Sequence, residues 1–352
     1  MEQMLMKGNE AIGAAAIKGG CRYFFGYPIT PQNEIPEYMS RELPKAGGVF
    51  LQAESEVAAI NMVYGAAGAG ARVMTSSSSP GIALKQEGIS YIAGAELPCV
   101  IVNIMRGGPG LGGIQPGQAD YFQATRGGGN GDYRLIVFAP ASIQETVDIM
   151  MEAFDIADQY RMPVLLLGDG MLGQMMEPVT FGEPKRRELP AKEWITDGTG
   201  NRRKPNTINS LRLDPGELEK HNQRLQAKYR EVEKKEVRHE SYRTEDAEIV
   251  FVSYGTSSRI VRNAVEELRN QGVAAGLIRP ITLWPFPTGA FDELPGSTKG
   301  LFTVEMSEGQ MIDDVKIASN GRWPLGFHGR SGGMIPVQRD IVEAAKRFLE
   351  EV

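Results

Sequence analysis

The chain of 352 residues contains few cysteines and histidines, and each shortage excludes a class of site. Its two cysteines, Cys21 and Cys99, form no CxxC pair, so they cannot supply the four thiolates of an iron–sulfur cluster or a cysteine-based zinc site. The three histidines are scattered and form neither an HExxH motif nor a Ser/His/Asp arrangement. We therefore expect no metal ion to be bound by this chain alone.

Basic clusters and long apolar runs are also missing. The formal net charge is −6, and no sustained basic run is present, so nucleic acid is not an expected partner. No apolar stretch reaches the roughly 18 residues that a membrane span needs. Residues 1–13 lack the basic and apolar segments of a secretion signal. We predict a cytoplasmic protein without membrane contact, in which both cysteines are buried free thiols.

Short apolar runs alternate with longer amphipathic segments in the first half of the chain. The runs are mostly apolar rather than strictly alternating, which is typical of strands buried on both faces. The predicted strands are residues 23–26, 49–52, 71–75, 99–105, 135–139 and 164–167. A helix is predicted over residues 142–160, where Ser142 and Glu145 form an S-x-x-E capping box. This alternation predicts an α/β fold with a doubly wound, mostly parallel sheet.

The composition changes after residue 182 and again after residue 246. Residues 183–246 are rich in charged residues and poor in apolar ones. We expect a connector that crosses a surface or a partner subunit and is irregular apart from a solvated helix over 215–237. A plain linker is the alternative. Residues 247–352 have the pattern of a second α/β unit, so the predicted organisation is a domain over 1–182, a connector over 183–246 and a domain over 247–352.

The first segment with chemical character is the turn YPITP at residues 27–31. Pro28 and Pro31 fix the backbone and remove two donors, so the preceding strand must end there. Thr30 lies between them, and the loops at the carboxyl ends of parallel strands form the ligand crevice of such sheets. A hydroxyl held there suits a carboxylate or carbonyl oxygen of a ligand. The alternative is a rigid turn in which Thr30 only caps the next helix.

Two further segments carry charged side chains after predicted strands. Glu54 and Glu56 lie where a strand pattern changes to a helical one, and the helix dipole favours an acidic cap, which explains one of them. Arg106 begins a Gly-rich loop over residues 106–118, and guanidinium groups pair bidentately with carboxylates. A structural ion pair is the alternative for Arg106. Residues 75–81, TSSSSPG, present several hydroxyls but lack the lysine of a P-loop.

These segments together resemble the 2-oxoacid:ferredoxin oxidoreductases, which use thiamine diphosphate, and in particular their alpha subunit. The resemblance rests on YPITP and on the glutamate before the Ala- and Gly-rich helix, and it covers essentially the whole chain. It implies a pyrimidine-type domain followed by a transketolase C-terminal-like domain. It also implies that Glu56 is catalytic, contacting the aminopyrimidine ring that takes the proton from C2 of the thiazolium. Glu54, two residues earlier, is the alternative for this contact.

By the same resemblance, further residues are assigned to the site. Those expected to contact the cofactor are Tyr27, Pro28 and Glu56, and those expected to contact the 2-oxoacid are Thr30 and Arg106. Gly168–Gly170 reads GDG, the start of a thiamine diphosphate Mg²⁺ motif, but the asparagine that completes the motif is absent before Asn201. We therefore predict that Asp169 is only a strand-end turn.

The resemblance implies that the rest of the active site lies on other chains. A beta subunit would share the thiamine diphosphate and hold its Mg²⁺, while gamma and ferredoxin-like delta subunits would carry the remaining domain and the iron–sulfur clusters. The complete enzyme of anaerobic metabolism would decarboxylate a 2-oxoacid, form acyl-CoA from coenzyme A with release of CO2, and reduce ferredoxin. The chain alone would be inactive.

The substrate and the class of protein each have alternatives. The loop over 106–118 most resembles that of 2-oxoisovalerate enzymes, and 2-oxoglutarate or pyruvate are the alternatives. A stand-alone thiamine enzyme is disfavoured by the incomplete GDG motif. A catalytically inert scaffold subunit is disfavoured because Thr30, Glu56 and Arg106 occur together.

Overall fold

The computed structural model describes residues 3–183 and 187–352. Its strands are β1 (Met4–Lys7), β2 (Tyr23–Gly26), β3 (Val49–Gln52), β4 (Val73–Ser77), β5 (Cys99–Met105), β6 (Ile136–Phe138), β7 (Pro163–Asp169), β8 (Met176–Val179), β9 (His239–Tyr242), β10 (Ile249–Val252), β11 (Ala275–Pro280), β12 (Thr282–Trp284), β13 (Gly300–Glu305) and β14 (Leu325–Gly329). Its helices are α1 (Gly8–Lys18), α2 (Glu34–Glu42), α3 (Glu56–Gly68), α4 (Ser79–Gly94), α5 (Tyr121–Arg126), α6 (Ile143–Tyr160), α7 (Gly170–Gln174), α8 (Pro215–Lys235), α9 (Gly255–Asn270), α10 (Met311–Ser319) and α11 (Gln338–Glu351). None of the helices within these ranges has both the length and the hydrophobicity required to cross a bilayer.

The larger sheet has seven strands in the order β12–β6–β7–β5–β4–β2–β3. All neighbouring pairs are parallel except the antiparallel pair of β12 and β6. Alternate residues of β5 enter different cores, because Val102 packs with the side chains of α1 and α6 whereas Ile101 packs with those of α3 and α4. Helices therefore cover both faces, and the predicted doubly wound, mostly parallel sheet is confirmed.

The smaller sheet has five strands in the order β14–β13–β10–β11–β9, all parallel except β9. We call the seven-stranded sheet with its helices the first unit, and the five-stranded sheet with α9, α10 and α11 the second unit. β12 follows β11 of the second unit but pairs with β6 of the first. The division at residues 182 and 246 stays a prediction.

The connector is more ordered than its composition predicts. Its residues His239–Tyr242 form β9, which is antiparallel to β11, so the expectation that this stretch is irregular was wrong. Helix α8 buries Leu225, Tyr229 and Val232 in the core of the first unit, so it is solvated on one side only. Apolar residues every three or four positions give even this charged helix a buried stripe.

The predicted capping box at the start of α6 is half formed. The Ser142 hydroxyl accepts a hydrogen bond from the Glu145 N–H at 3.2 Å, as expected. The Glu145 carboxylate, however, accepts from the Ala141 N–H at 2.7 Å rather than from Ser142. Arg279 binds both oxygens of Glu145 at 2.9 Å, and this ion pair draws the carboxylate away from the position of a full capping box.

Candidate functional site

The predicted site residues meet at the carboxyl edge of the seven-stranded sheet. The turn 27–31 follows β2, Glu56 begins the helix after β3, the serines of residues 75–79 end β4, and Arg106 follows β5. Because β2, β3, β4 and β5 are parallel, all four segments emerge on the same side. This is the edge at which ligands bind in open α/β sheets.

The turn after β2 and the residue after β5 are in direct contact. The Arg106 guanidinium donates from Nη1 to the Thr30 carbonyl at 2.9 Å and from Nη2 to the Leu111 carbonyl at 2.9 Å. Arg106 is only 6% exposed, and its Nε has no hydrogen-bond partner among the described residues. No carboxylate of the described part of the chain forms an ion pair with it. Arg106 is thus a buried cation with bonding capacity left for an anionic ligand.

Thr30 lies on the open side of this contact. The residue is exposed, and its hydroxyl accepts a long hydrogen bond of 3.4 Å from the Asn33 side chain. Tyr27 is half-buried and Pro28 is exposed at the start of the same turn. The Tyr27 hydroxyl has no hydrogen-bond partner within residues 3–183 and 187–352. The turn therefore presents the Thr30 hydroxyl, held only by a long hydrogen bond, and the Tyr27 hydroxyl, which has no partner among the described residues.

Glu56 is the first residue of α3 and is 6% exposed. It is not needed as a cap, because the Ser55 hydroxyl accepts from the Ala58 N–H at 3.2 Å. The Glu56 carboxylate has no hydrogen-bond partner in the part of the chain that the structure describes. Glu54, two residues earlier, is exposed. The fold thus distinguishes two carboxylates that are adjacent in the sequence pattern, since only Glu56 is withdrawn from solvent.

Close packing surrounds the Glu56 carboxylate on the side of α4. A Cβ atom at Gly81 would lie 2.7 Å from Oε1 of Glu56 and 2.1 Å from Oγ of Ser77. The hydroxyls of Ser77 and Ser78 are buried without a hydrogen-bond partner among the described residues. Buried hydroxyls normally have partners. The end of β4 therefore offers donors and acceptors beside Glu56 to a ligand.

Lys85 on α4 is a buried cation near Glu56 that sequence reasoning missed. Its side chain is fully buried, and its Nζ donates to the Thr75 hydroxyl at 2.7 Å. Burial lowers the pKa of Lys85 to about 7, and the negative charge of Glu56 opposes that shift. Nothing in the sequence signals this position, because a lysine in a helix is usually solvated.

A polar network fixes the backbone from which Arg106 projects. The Ser79 hydroxyl donates to Asp120 at 2.7 Å and accepts from the Arg106 N–H at 3.0 Å. Asn103 donates to Asp120 at 2.9 Å and accepts from the Ser79 N–H at 3.0 Å. Burial raises the pKa of Asp120, and the bonds from Ser79 and Asn103 oppose the shift. In the sequence, Asn103 is marked as the one polar residue of the apolar run CVIVNIM.

Asp169 of the GDG segment has a structural role. It ends β7 and caps α7, accepting from the N–H groups of Met171 at 2.9 Å and Leu172 at 3.1 Å, and the Thr256 hydroxyl also donates to it. Burial raises the pKa of Asp169, against these hydrogen bonds. The predicted strand-end turn is confirmed. Within residues 3–183 and 187–352, no group of three or more His, Cys, Asp or Glu side chains could hold a metal ion.

A cavity of about 470 Å³ opens beside Thr30. Half of its side chains are apolar and half are polar, and one, Glu34, is charged. The cavity is lined by Thr30, Pro31, Asn33, Glu34, Ile114, Gln115, Pro116, Gly170, Met171, Gln174 and Ile335. Ile335 comes from the second unit. A slightly larger cavity, of about 550 Å³, lies between Arg126 and Trp284 and is lined by none of the predicted site residues.

Sequence comparison identifies two family regions in the chain. Residues 14–248 match the family described as pyruvate flavodoxin/ferredoxin oxidoreductase, thiamine diphosphate-binding, and residues 247–341 match pyruvate:ferredoxin oxidoreductase core domain II. The ketoisovalerate oxidoreductase subunit VorB of Methanothermobacter thermautotrophicus is 52% identical over 343 residues, which are 97% of each chain. The 2-oxoglutarate synthase subunit KorA of Archaeoglobus fulgidus is 41% identical over 323 residues, covering 90% of this chain and 91% of that one.

Solved structures show the same fold. The 2-oxoglutarate:ferredoxin oxidoreductase from Magnetococcus marinus, with 2-oxoglutarate, coenzyme A and succinyl-CoA bound, matches 98% of this chain with a TM-score of 0.88 and 27% identity. This chain spans 65% of that longer chain. A split-gene transketolase, an inactive beta4 tetramer, matches 98% of both chains with a TM-score of 0.58 and 14% identity, which shows the fold alone.

The expected thiamine diphosphate-binding and transketolase-like fold is thereby confirmed, and so is the resemblance drawn from YPITP and Glu56. Both the family matches and the relatives cover nearly the whole chain. The relatives are named as subunits of oxidoreductases. The chain belongs to the pyruvate flavodoxin/ferredoxin oxidoreductase family, which is a family of enzymes.

Proposed function

We propose that this chain is the alpha-type subunit of a 2-oxoacid:ferredoxin oxidoreductase that acts on 2-oxoisovalerate. The observation that carries the proposal is that two buried charged groups with unused hydrogen-bonding capacity lie at one sheet edge. They are the Arg106 guanidinium, whose Nε has no partner among the described residues, and the Glu56 carboxylate at the start of α3. The reaction would convert the 2-oxoacid and coenzyme A to acyl-CoA and CO2, with electrons passing to ferredoxin.

The residues present fit the pyrimidine half of thiamine diphosphate. Glu56 is a buried acceptor without a partner among the described residues, and the hydroxyls of Ser77, which lies close to it, and of Ser78 are also unpartnered. Tyr27 and Pro28 would form the opposite wall of the cofactor site. When bound, the cofactor supplies the nucleophilic carbon and the electron sink for decarboxylation. In this chain, Glu56 would hold and transfer a proton at the pyrimidine ring.

Arg106 and Thr30 would bind the carboxylate end of the 2-oxoacid. The guanidinium is fixed by two backbone carbonyls, which leaves Nε and the remaining N–H groups for the substrate. The network of Ser79, Asn103 and Asp120 holds its backbone, so little ordering is required on binding. Charge-assisted hydrogen bonds to a carboxylate would orient the 2-oxo carbon toward the cofactor.

Two observations favour 2-oxoisovalerate over 2-oxoglutarate. Identity to the ketoisovalerate oxidoreductase subunit is 52%, against 41% to the 2-oxoglutarate synthase subunit. The cavity beside Thr30 has apolar walls from Ile114, Met171 and Ile335, and it contains neither lysine nor arginine. A branched aliphatic chain suits such walls, whereas the second carboxylate of 2-oxoglutarate would be buried there without a counter-charge.

The proposal assigns the remaining parts of the enzyme to partner chains in the cytoplasm. A beta subunit would hold the diphosphate and Mg²⁺, and gamma and delta subunits would complete the complex and carry the iron–sulfur clusters. The relatives' names as subunits support a multi-chain assembly. Both cysteines are buried free thiols, in agreement with a reducing compartment. The division of this chain at residues 182 and 246 belongs to the same proposal.

The test is a substrate panel with the chain alone and in complex with co-expressed partner subunits. We expect the complex to reduce a viologen dye in the presence of coenzyme A, with a larger kcat/KM for 2-oxoisovalerate than for 2-oxoglutarate or pyruvate. The lone chain should show no turnover. Activity of the lone chain would contradict the shared site, and a preference for 2-oxoglutarate would contradict the substrate assignment.

A further inference from the structure

The loop that begins at Arg106 ends on the second unit. Gln118 closes the loop and is fully buried. Its side-chain amide donates to the Tyr254 carbonyl at 3.0 Å and accepts from the Ser257 hydroxyl at 3.0 Å and the Met306 N–H at 2.9 Å. All three partners belong to the second unit. The side chain of Gln118 is therefore a link between the units rather than part of either core.

The backbone of Gln118 strengthens the same link. Its N–H donates to the Met306 carbonyl at 2.8 Å, and its carbonyl accepts from the Tyr254 hydroxyl at 3.1 Å. Tyr254, which follows β10, and Met306, which follows β13, thus each form two hydrogen bonds with Gln118. A residue held by five buried hydrogen bonds has little freedom to shift.

Contacts at the base of the loop couple the position of Gln118 to that of Arg106. Arg106 and Pro116 form an antiparallel bridge, and the Gly107 N–H donates to the Gln115 carbonyl at 2.9 Å. A Cβ atom at Gly117 would lie 3.2 Å from the Arg106 carbonyl oxygen, so the two segments are in close contact. A shift of the returning segment would therefore displace the backbone of Arg106.

The second unit also touches the loop near Gln115. A Cβ atom at Gly333 would lie 2.5 Å from Cβ of Gln115, and one at Gly107 would lie 3.3 Å from the carbonyl carbon of Gly332. Gly333 has φ of +97°, a conformation that favours glycine. The loop of Arg106 is thus packed against the second unit at two places.

We propose that Gln118 is a positioning residue for the 2-oxoacid site, through which the second unit holds the Arg106 guanidinium beside Thr30. The inference rests on the proposed function, in which Arg106 binds the substrate carboxylate. Arg106 lies in the first unit, but the geometry of its loop is completed by the second. Loosening Gln118 would weaken carboxylate binding while leaving the proton-transferring group, Glu56, in place.

Gln118→Ala in the complete complex tests this role. We expect the KM for 2-oxoisovalerate to rise about tenfold while kcat changes less than about threefold, because a binding group is misplaced and the reacting groups are not. The KM for coenzyme A should be unchanged. Hydrogen–deuterium exchange in peptides covering residues 106–118 should be faster than in the wild type.

Asp314→Ala is the matched control. Asp314 makes three hydrogen bonds across the same boundary, at 2.5 Å from the Tyr121 hydroxyl and at 3.1 Å from two nitrogens of Arg126, all outside the loop. We expect it to lower the melting temperature of the complex without changing the KM for the 2-oxoacid or the exchange of residues 106–118.

Equal changes of KM and exchange in both variants, or no change in Gln118→Ala, would overturn the proposal. If Gln118→Ala does not fold, Tyr254→Phe removes one hydrogen bond to Gln118 and keeps the ring. A KM raised about threefold, with faster exchange of the loop, then supports the proposal, and unchanged values overturn it. An inactive wild-type complex would contradict the proposed function, whereas the exchange data would still decide whether Gln118 holds the loop.

Discussion

One buried glutamate lies near the carboxyl edge of each sheet, and the two have opposite surroundings. Glu305 of the second unit accepts from the Ser307 hydroxyl at 2.9 Å and from three backbone N–H groups of residues 310–312 at 3.0–3.1 Å. Glu56 of the first unit has no hydrogen-bond partner in the described ranges. Glu305 is a complete structural cap of the start of α10, whereas Glu56 is a buried acceptor without a hydrogen-bond partner among the described residues.

Two arginines, Arg106, which is buried, and Arg279, which is half-buried, show the same contrast. Arg279 of the second unit binds both oxygens of Glu145 at 2.9 Å and one of Glu240 at 2.8 Å. Among the described residues, Arg106 of the first unit binds only carbonyls, and its Nε has no hydrogen-bond partner. Burial of a charged side chain therefore does not mark the site by itself. The informative feature is unused bonding capacity in a buried charged group.

The largest effect should come from exchanging each buried glutamate for glutamine. In the proposed function Glu56 transfers a proton, so we expect Glu56→Gln to lower kcat of the complex by about 10²–10⁴-fold with assembly intact. Glu305→Gln would place an amide donor against backbone N–H donors, so it should lower the melting temperature and leave kcat nearly unchanged. Dye-reduction assays and thermal melts of the purified complexes measure both.

Glu54→Gln is the control for the position of the catalytic acid. Glu54 is exposed, so we expect its exchange to leave turnover nearly unchanged. Loss of turnover in Glu54→Gln with retention in Glu56→Gln would reverse the assignment. Equal loss of activity in Glu56→Gln and Glu305→Gln would contradict the proposal that the carboxylate without a hydrogen-bond partner, Glu56, has a different role from the fully hydrogen-bonded Glu305.

A smaller effect, on the KM for the 2-oxoacid, should distinguish Arg106 from Arg279. Arg106→Lys keeps the charge but loses the planar donor fork, so we expect the KM for the 2-oxoacid to rise about 10- to 100-fold, because a hydrogen bond to a charged group contributes about 1.5–3 kcal/mol. Arg279→Lys should lower the melting temperature and leave this KM unchanged. Steady-state kinetics with the 2-oxoacid varied distinguish the two, and a KM change in Arg279→Lys alone would contradict the assignment of Arg106.

The smallest effect concerns Lys85 and its pH dependence. Its folded-state pKa, about 7, is below the value of 10.5 in the unfolded chain, so the unfolded state binds more protons between these two values. The stability of the wild type relative to Lys85→Met should therefore rise with pH in this window, by at most about 1.4 kcal/mol per pH unit. Denaturant unfolding of both proteins at pH 7, 8 and 9 measures it. A constant difference would show that the Lys85 amine titrates alike in both states.

The strand pattern was predictable because it depends on local composition. The bounds predicted for residues 23–26, 49–52 and 99–105 agree with β2, β3 and β5. The continuous apolar run of β5 is buried throughout, as expected, whereas β3 lies at the edge of the sheet and is mostly exposed, so the expectation that it is buried on both faces was wrong. The connector was predicted less well. β9 at His239–Tyr242 is polar and exists through its pairing with β11, a partner distant in sequence.

The sequence also predicted which segments meet at the site. Each of Thr30, Glu56 and Arg106 was marked by a strand end, a turn or a helix start, and parallel strands bring such positions to one edge. Lys85 was not predictable, because a lysine on a helix carries no sign of burial. Gln118 was not predictable either, since the three residues that form its five hydrogen bonds lie at least 136 positions away in the chain.

By itself, the sequence determined the family, the doubly wound sheet and the residues that could carry the chemistry, because motifs and hydropathy are local properties of the chain. Only the tertiary structure decided between Glu54 and Glu56 as the buried carboxylate, showed that Arg106 has no carboxylate partner among the described residues, and showed that the second unit holds the Arg106 loop. Burial and hydrogen-bond satisfaction depend on groups that the fold brings together from distant positions, so no local pattern encodes them.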